Sequence, residues 1–222
     1  TLLACDIDGT LLRSDGAVSP RTVQALRLAE ARGATVVIAT GRRIASTTYI
    51  ARSLGLGSPC IAHCGAVVYD PADESILMAK QISRQAALQA CVLADSVGAD
   101  VAVHESVHSG RSIFVTTPRE LDDAAQHWPY MIPYYQLAAD FEQACRTDPV
   151  QLCIMADTTA IRRLTRQLER DMPDELSIVD YGMVENGRYM IDVFAEGVDK
   201  ALGLANAFRK HVYHVPAVLH HP

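Results

Sequence analysis

Leu2-Leu3-Ala4-Cys5-Asp6-Ile7-Asp8-Gly9-Thr10-Leu11-Leu12 is the stretch whose reading decides the fold. An apolar run ends in Asp6, Asp8, Gly9 and Thr10, after which the polar Arg13, Ser14 and Asp15 take over. The run Leu2–Cys5 predicts a strand buried on both faces, as in a parallel sheet. In extended backbone, residues i and i+2 share a side, so Asp6 and Asp8 project together roughly 7 Å apart while Ile7 points inward. Carboxylates so placed repel one another unless a cation or a shared proton relieves them. Gly9 permits a sharp turn and leaves amides free to approach an anion. A strand ending in a solvated acidic turn is the plainer alternative.

Outward from this stretch, strand and helix signals alternate. Ser19-Pro20 makes an N-cap and first helical position, and Val23, Leu26 and Ala29 follow at helical spacing until Gly33. Val36–Ala39 predicts a second buried strand, Ile44–Leu54 a helix stopped by Gly55, and Cys60–Ala62 a third strand leading through 63–66 into Val67–Tyr69. Strand, helix, strand, helix, strand implies right-handed crossovers and an α/β fold with a doubly wound, Rossmann-like parallel sheet. From about Lys80 the character changes. Strand-like pieces at 100–104, 112–117, 151–156, 177–181 and 188–194 alternate with helical ones at 84–97, 119–127, 138–146 and 158–170. Short turns at Ser109-Gly110 and Glu185-Asn186-Gly187 favour antiparallel hairpins. The expected organisation is a core of residues 1–80 and 190–222, with an α+β domain of residues 81–189 inserted into it.

Composition sets outer bounds. A chain of 222 residues holds one large or two modest domains. Apolar content of 49% with 21% charged residues fits a folded, soluble protein. A formal charge of −6 argues against nucleic-acid partners, so any phosphate site must be local. No apolar run approaches the roughly 20 residues that span a bilayer, and the N-terminus enters a strand with no leader-type segment, so no membrane partner is expected. The absent initiator Met implies a processed or trimmed chain. Six cysteines set mostly in apolar stretches fit buried free thiols in a cytoplasmic setting. Cys60, His63 and Cys64 lack the second pair that a zinc site requires.

Two further positions carry chemistry. Thr40 stands where strand 36–39 runs out, at the sheet edge where ligands of open parallel sheets gather. Its hydroxyl suits a phosphoryl oxygen, and Gly41 allows close backbone approach. Arg42 either reaches phosphate or caps a helix. Lys200, in Glu196-Gly197-Val198-Asp199-Lys200, would by itself be an ordinary surface lysine at a helix start, with Asp199 a helix cap and Asp192 a strand-end residue. His104-Glu105-Ser106-Val107-His108 spells the HExxH of zinc proteases, which works only on a helix. In a strand, residues four apart lie roughly 13 Å from each other, so a hairpin with exposed histidines is expected instead. Gly55-Leu56-Gly57 follows a helix and lacks the third glycine of a dinucleotide site.

The Asp6-Ile7-Asp8-Gly9-Thr10 segment, Thr40-Gly41 and the Gly197-Val198-Asp199-Lys200 context together resemble the first three motifs of the haloacid dehalogenase-like phosphohydrolases, in their Cof-type branch. That resemblance covers about residues 1–205. It implies that Asp6 attacks phosphorus, that Asp8 is the general acid and base, and that Thr40, Gly41, Arg42 and Lys200 hold the phosphoryl oxygens. It also implies Mg2+ bound by Asp6 and the region of Asp8, a small phosphate monoester as substrate, and a large cap between the second and third motifs that closes over the site. Two departures stand out. Cys64-Gly65-Ala66 replaces the family's Asn-Gly-Ala, and no acidic residue follows Asp199, where the family has a Gly-Asp-x-x-Asn-Asp loop. His220 and His221 are poor substitutes for hard oxygen ligands. Either the chain is a truncated or altered version of a longer protein, or its metal site is weakened; the missing last strands of a doubly wound core favour truncation. The expected function is a Mg2+-dependent phosphatase, with a catalytically silent binding or regulatory protein as the alternative.

Overall fold

In the computed structural model, residues 1–127, 129–184 and 187–208 are described; Glu185, Asn186 and the tail with His220 and His221 lie outside them. The chain forms two units, Thr1–Ala79 with Val198–Pro222 and, between them in sequence, Lys80–Gly197.

In the first unit, Leu2–Cys5 (β1) runs parallel to Thr35–Ile38 (β2), with Leu2 opposite Thr35 and Cys5 opposite Ile38. The crossover is Pro20–Ala31 (α1), which starts where the Ser19 side chain accepts the Thr22 amide and Pro20 presets the first turn. Ile44–Leu54 (α2) ends at Gly55, whose φ of 75° lets its amide bond back to Ala51 and Arg52. A parallel bridge joins Ala39 to Ile61, which places Cys60–Ala62 (β3) beside the end of β2. From β3 the sheet continues as an antiparallel meander through Val67–Tyr69 (β4) and Ile76–Ala79 (β5). Val37, Ala39, Ile61, Val68 and Phe208 form one buried cluster, with Leu2, Met78, Leu204 and Ala207 against it. Lys200–Phe208, the last helix among the described residues, supplies three of those nine side chains and is thereby fixed to the sheet. A Val, Leu, Ile, Met or Phe side chain contributes about 1.5–3 kcal/mol when fully buried.

The expectation for β1 needs correction. Leu3 is 39% exposed and Ala4 is exposed, so the strand is not buried on both faces. Among the described residues β1 has a single strand neighbour, whereas β2 is flanked by β1 and by the Ala39–Ile61 bridge and buries Val36, Val37 and Ile38. A local apolar run is the same in both environments.

In the second unit a six-stranded sheet follows Arg84–Ser96 (α3). Its strands in chain order are Asp100–His104 (β6), Ile113–Val115 (β7), Tyr135–Leu137 (β8), Gln151–Ala156 (β9), Leu176–Met183 (β10) and Tyr189–Ala195 (β11). In space they lie in the order β10-β11-β9-β6-β7-β8, antiparallel except for the β7–β8 pair. Pro118–His127 (α4), Phe141–Ala144 (α5) and Thr158–Asp171 (α6) complete it. The helix Lys200–Phe208 of the first unit is α7. Helix α6 buries Ile161, Leu164 and Leu168 at helical spacing. Strand β11 pairs with both β9 and β10, so this unit runs to Gly197 and not to the expected 189.

The HExxH segment is not helical. His104 ends β6, which pairs with β7 as a hairpin. The expected exposed pair of histidines is half right: His108 is exposed, but His104 is buried, as is Glu105. Glu105 accepts from Arg146 at 2.6 Å and from the Ser112 amide at 3.2 Å, and the Arg146 guanidinium lies 5.1 Å from the centre of the Phe114 ring. A buried carboxylate held in this way anchors the hairpin.

Candidate active site

Asp6 follows directly on β1 with extended backbone (φ −77°, ψ 159°), and its Oδ1 accepts the Ile7 amide at 2.7 Å. A tight loop over Ile7–Leu11 is closed by the Leu12 amide on the Ile7 carbonyl at 3.0 Å. Asp8 is again extended, and Gly9 turns the chain with φ 71°, a left-handed value that a side chain disfavours. Ile7 is fully buried and Asp8 exposed, the alternation anticipated for an Asp-x-Asp pair leaving a strand.

Each carboxylate meets a cation from a distant part of the chain. Lys200, the first residue of α7, donates Nζ to Asp6 Oδ2 at 2.5 Å. Arg42 grips Asp8 through two parallel bonds, Nε to Oδ2 at 2.8 Å and Nη2 to Oδ1 at 2.6 Å. The fork matches carboxylate geometry and is stronger than a single contact, although the exposure of both partners screens it. Thr40 is 1% exposed, with its Oγ1 accepting the Arg42 amide at 3.2 Å. Half-buried Gly41 lies between Thr40 and Arg42. Asp199 caps α7 through Oδ1, which accepts the Leu202 amide at 2.6 Å. All six anticipated positions therefore lie in one unit, and two of them, Asp6 and Lys200, are joined across 194 residues.

The resemblance singles out Cys64-Gly65-Ala66, but not the part its backbone plays in tying these pieces together. His63, Cys64 and Gly65, directly after β3, all have left-handed backbone, with φ of 49°, 54° and 109°. For His63 and Cys64 that conformation costs on the order of 1 kcal/mol each. It is held by two amide bonds, His63 to the Arg42 carbonyl at 2.9 Å and Cys64 to the Thr40 carbonyl at 3.1 Å. A glycine just past a strand at the binding edge of a parallel sheet is the local signal that goes with it. Asp192, expected at a strand end, lies inside β11 and is buried, because β11 runs on to Ala195.

Among the described residues no three His, Cys, Asp or Glu side chains are grouped to hold a metal. Mg2+ does not require such a cage, since it keeps several waters and binds through one or two carboxylates and substrate phosphate. The hard oxygens of Asp6 and Asp8 fit that demand. None of the described helices is long and apolar enough to cross a membrane.

The sequence profile of the haloacid dehalogenase-like hydrolases matches residues 3–214. The chain belongs to that family. Among its haloacid dehalogenase-like relatives, the Streptococcus pyogenes protein M6_Spy0533 is 29% identical over 233 residues, covering 89% of this chain and 86% of that one. The 5-amino-6-(5-phospho-D-ribitylamino)uracil phosphatase YcsE of Bacillus subtilis is 41% identical over 69 residues, 31% of this chain and 28% of its own. In three dimensions the chain is similar to BT1666 of Bacteroides thetaiotaomicron, described among the phosphatases of the superfamily. The TM-score is 0.74 at 26% identity, over 95% of this chain and 72% of BT1666.

Proposed function

We propose that this haloacid dehalogenase-like hydrolase is a Mg2+-assisted phosphatase of small, soluble phosphate monoesters such as sugar or other metabolite phosphates. The observation that carries the reading is the Lys200–Asp6 contact at 2.5 Å beside the Arg42–Asp8 clamp, with Thr40 buried alongside. Relatives named as phosphatases support it. Free cysteines, five of the six buried, support a cytoplasmic setting.

Asp6 attacks phosphorus in line, forming an aspartyl-phosphate and splitting one hard displacement into two easier ones. Asp8 protonates the leaving oxygen and then takes a proton from the water that cleaves the acyl-phosphate. The Lys200 ammonium, the Thr40 hydroxyl and the Gly41 amide hold the phosphoryl oxygens. Arg42 exchanges Asp8 for phosphate as the ester enters. Asp6 and the region of Asp8 would hold Mg2+, which would supply neutralisation of phosphoryl charge.

Replacing Asp6 with Asn should abolish Mg2+-dependent hydrolysis of an aryl phosphate, and retained activity would refute the nucleophile assignment. A second reading, a catalytically silent binding or regulatory protein, is favoured by one observation: among the described residues no third carboxylate joins Asp6 and Asp8. Calorimetry decides between them, since the phosphatase must bind Mg2+ and the silent module need not.

A further inference from the structure

We propose that Gly65 and Gly203 are positioning residues that form a side-chain-free seat for α7 and thereby set the Lys200 ammonium against Asp6. The proposal rests on the phosphatase reading for its catalytic consequence but not for its geometry. A Cβ built on Gly65 would lie 1.8 Å from the Asp199 carbonyl oxygen and 3.0 Å from the Lys200 nitrogen. One on Gly203 would lie 2.5 Å from Ile61 Cγ2 and 3.1 Å from the Gly65 Cα. The two glycines thus abut, one at the end of the β3 loop and the other three residues into α7 from Lys200. Real Cβ atoms do not approach backbone so closely, so a methyl group on Gly65 must push the start of α7 outward. The φ of 109° at Gly65 independently disfavours any side chain.

The same loop is bonded on its other side to the Thr40 and Arg42 carbonyls. One short segment therefore touches both halves of the phosphate cradle and fixes the distance between them. Lys200 stands at the very first position of α7, where the helix offers no earlier turn to hold it. Its registration with Asp6 is set by how deeply α7 sits on the loop. A displacement of about 1 Å at such a site can cost about 100-fold in rate.

The test is a double-mutant cycle with aryl phosphate as substrate, accompanied by crystal structures. Gly65→Ala is expected to lower kcat/KM by about 100-fold. Combined with Lys200→Met it should do no further harm, because the residue it acts through is already gone. Multiplying losses in the double variant would mean that Gly65 acts by some other route and would overturn the proposal. In the crystal, the Lys200–Asp6 pair of Gly65→Ala should be broken, and an intact pair at 2.5 Å overturns the proposal whatever the rates. Should Gly65→Ala not fold, Gly203→Ala carries the same test: the pair should open, and adding Ile61→Ala, which vacates the space, should close it again. If the unaltered chain hydrolyses nothing, the phosphatase reading falls while the crystal structures still decide the seat.

Discussion

Asp192 sits in the middle of β11, 4% exposed, with one carboxyl oxygen unpartnered. Burial pushes its carboxyl up to about 6, although hydrogen bonds from Gln151, Cys153 and Tyr181 pull the other way. A folded value above the unfolded one means that the neutral acid is the form the fold prefers. The stability it contributes is therefore complete at low pH and is lost as pH rises through about 6. A gap of about two units corresponds to about 2–3 kcal/mol. Asp192→Asn should accordingly raise stability by about that amount at pH 8 and change little at pH 4, as read by urea unfolding at the two values. Arg42 makes a different prediction. Arg42→Ala removes the guanidinium that would leave Asp8 for phosphate, and because the site is exposed it should raise KM for an aryl phosphate by up to about tenfold. Arg42→Lys should recover only part of that, because the ammonium cannot reproduce the bidentate grip. At this scale Asp6 and Asp8 were legible in the sequence because a spacing of two along a strand is a local fact. Lys200 was not legible from chemistry alone, since nothing near residue 200 reveals a partner at residue 6; only the resemblance of motifs picked it out. Gly65 was singled out by the same resemblance, but its approach to the Asp199 carbonyl was not legible, because that partner is equally remote in sequence.

Elements were readable where pattern and caps agreed. Strands β6 and β9 fall where their apolar runs put them, and α2 ends at the glycine that stops its helical spacing. The expected helix over 138–146 shrinks to the single turn α5, capped by Asp140, because the backbone before and after it is used otherwise. The Ala138 amide bonds to the Val115 carbonyl, and Val150 to His104. Strand β8 was missed: a three-residue strand preceded by Pro129 and Pro133 carries no period to read, and its pairing with β7 is a tertiary fact. Helix α6 shows the opposite case, in which a strong apolar stripe dictates the outcome. Leu164 is its most buried residue, at 0% exposure. Leu164→Ala should destabilise the protein by about 2–5 kcal/mol, the usual range for a leucine cavity, measurable as an earlier urea midpoint. A loss under about 1 kcal/mol would mean that the helix settles into the gap. The cap of α7 supplies a smaller test. Asp199→Ala should cost about 1 kcal/mol and, by loosening the helix start, lower kcat as well.

For the molecule as a whole, ligand binding and folding are linked. A ligand present at 100 times its Kd adds about 2.7 kcal/mol to stability. In a protein of this size each kcal/mol moves Tm by about 2–4 °C. Mg2+ with inorganic phosphate should therefore raise the thermal midpoint of the unaltered chain by several degrees and leave Asp6→Asn almost unmoved, as calorimetric scans would show. The division into two units was legible from the change in strand and helix character near residue 80. The return point was not, because β11 is as apolar as a core strand and only its pairing with β9 and β10 assigns it to the second unit.

That division has a consequence for how the protein is made. Lys80–Gly197 is one uninterrupted stretch and can complete its sheet while later residues are still inside the ribosome. The first unit is built from segments on both sides of that stretch, so its two aspartates emerge early and wait, without their lysine, until residue 200 has been translated. Until then the nascent chain carries both carboxylates without the ammonium that meets one of them, and the Lys200–Asp6 pair can close only once α7 has formed.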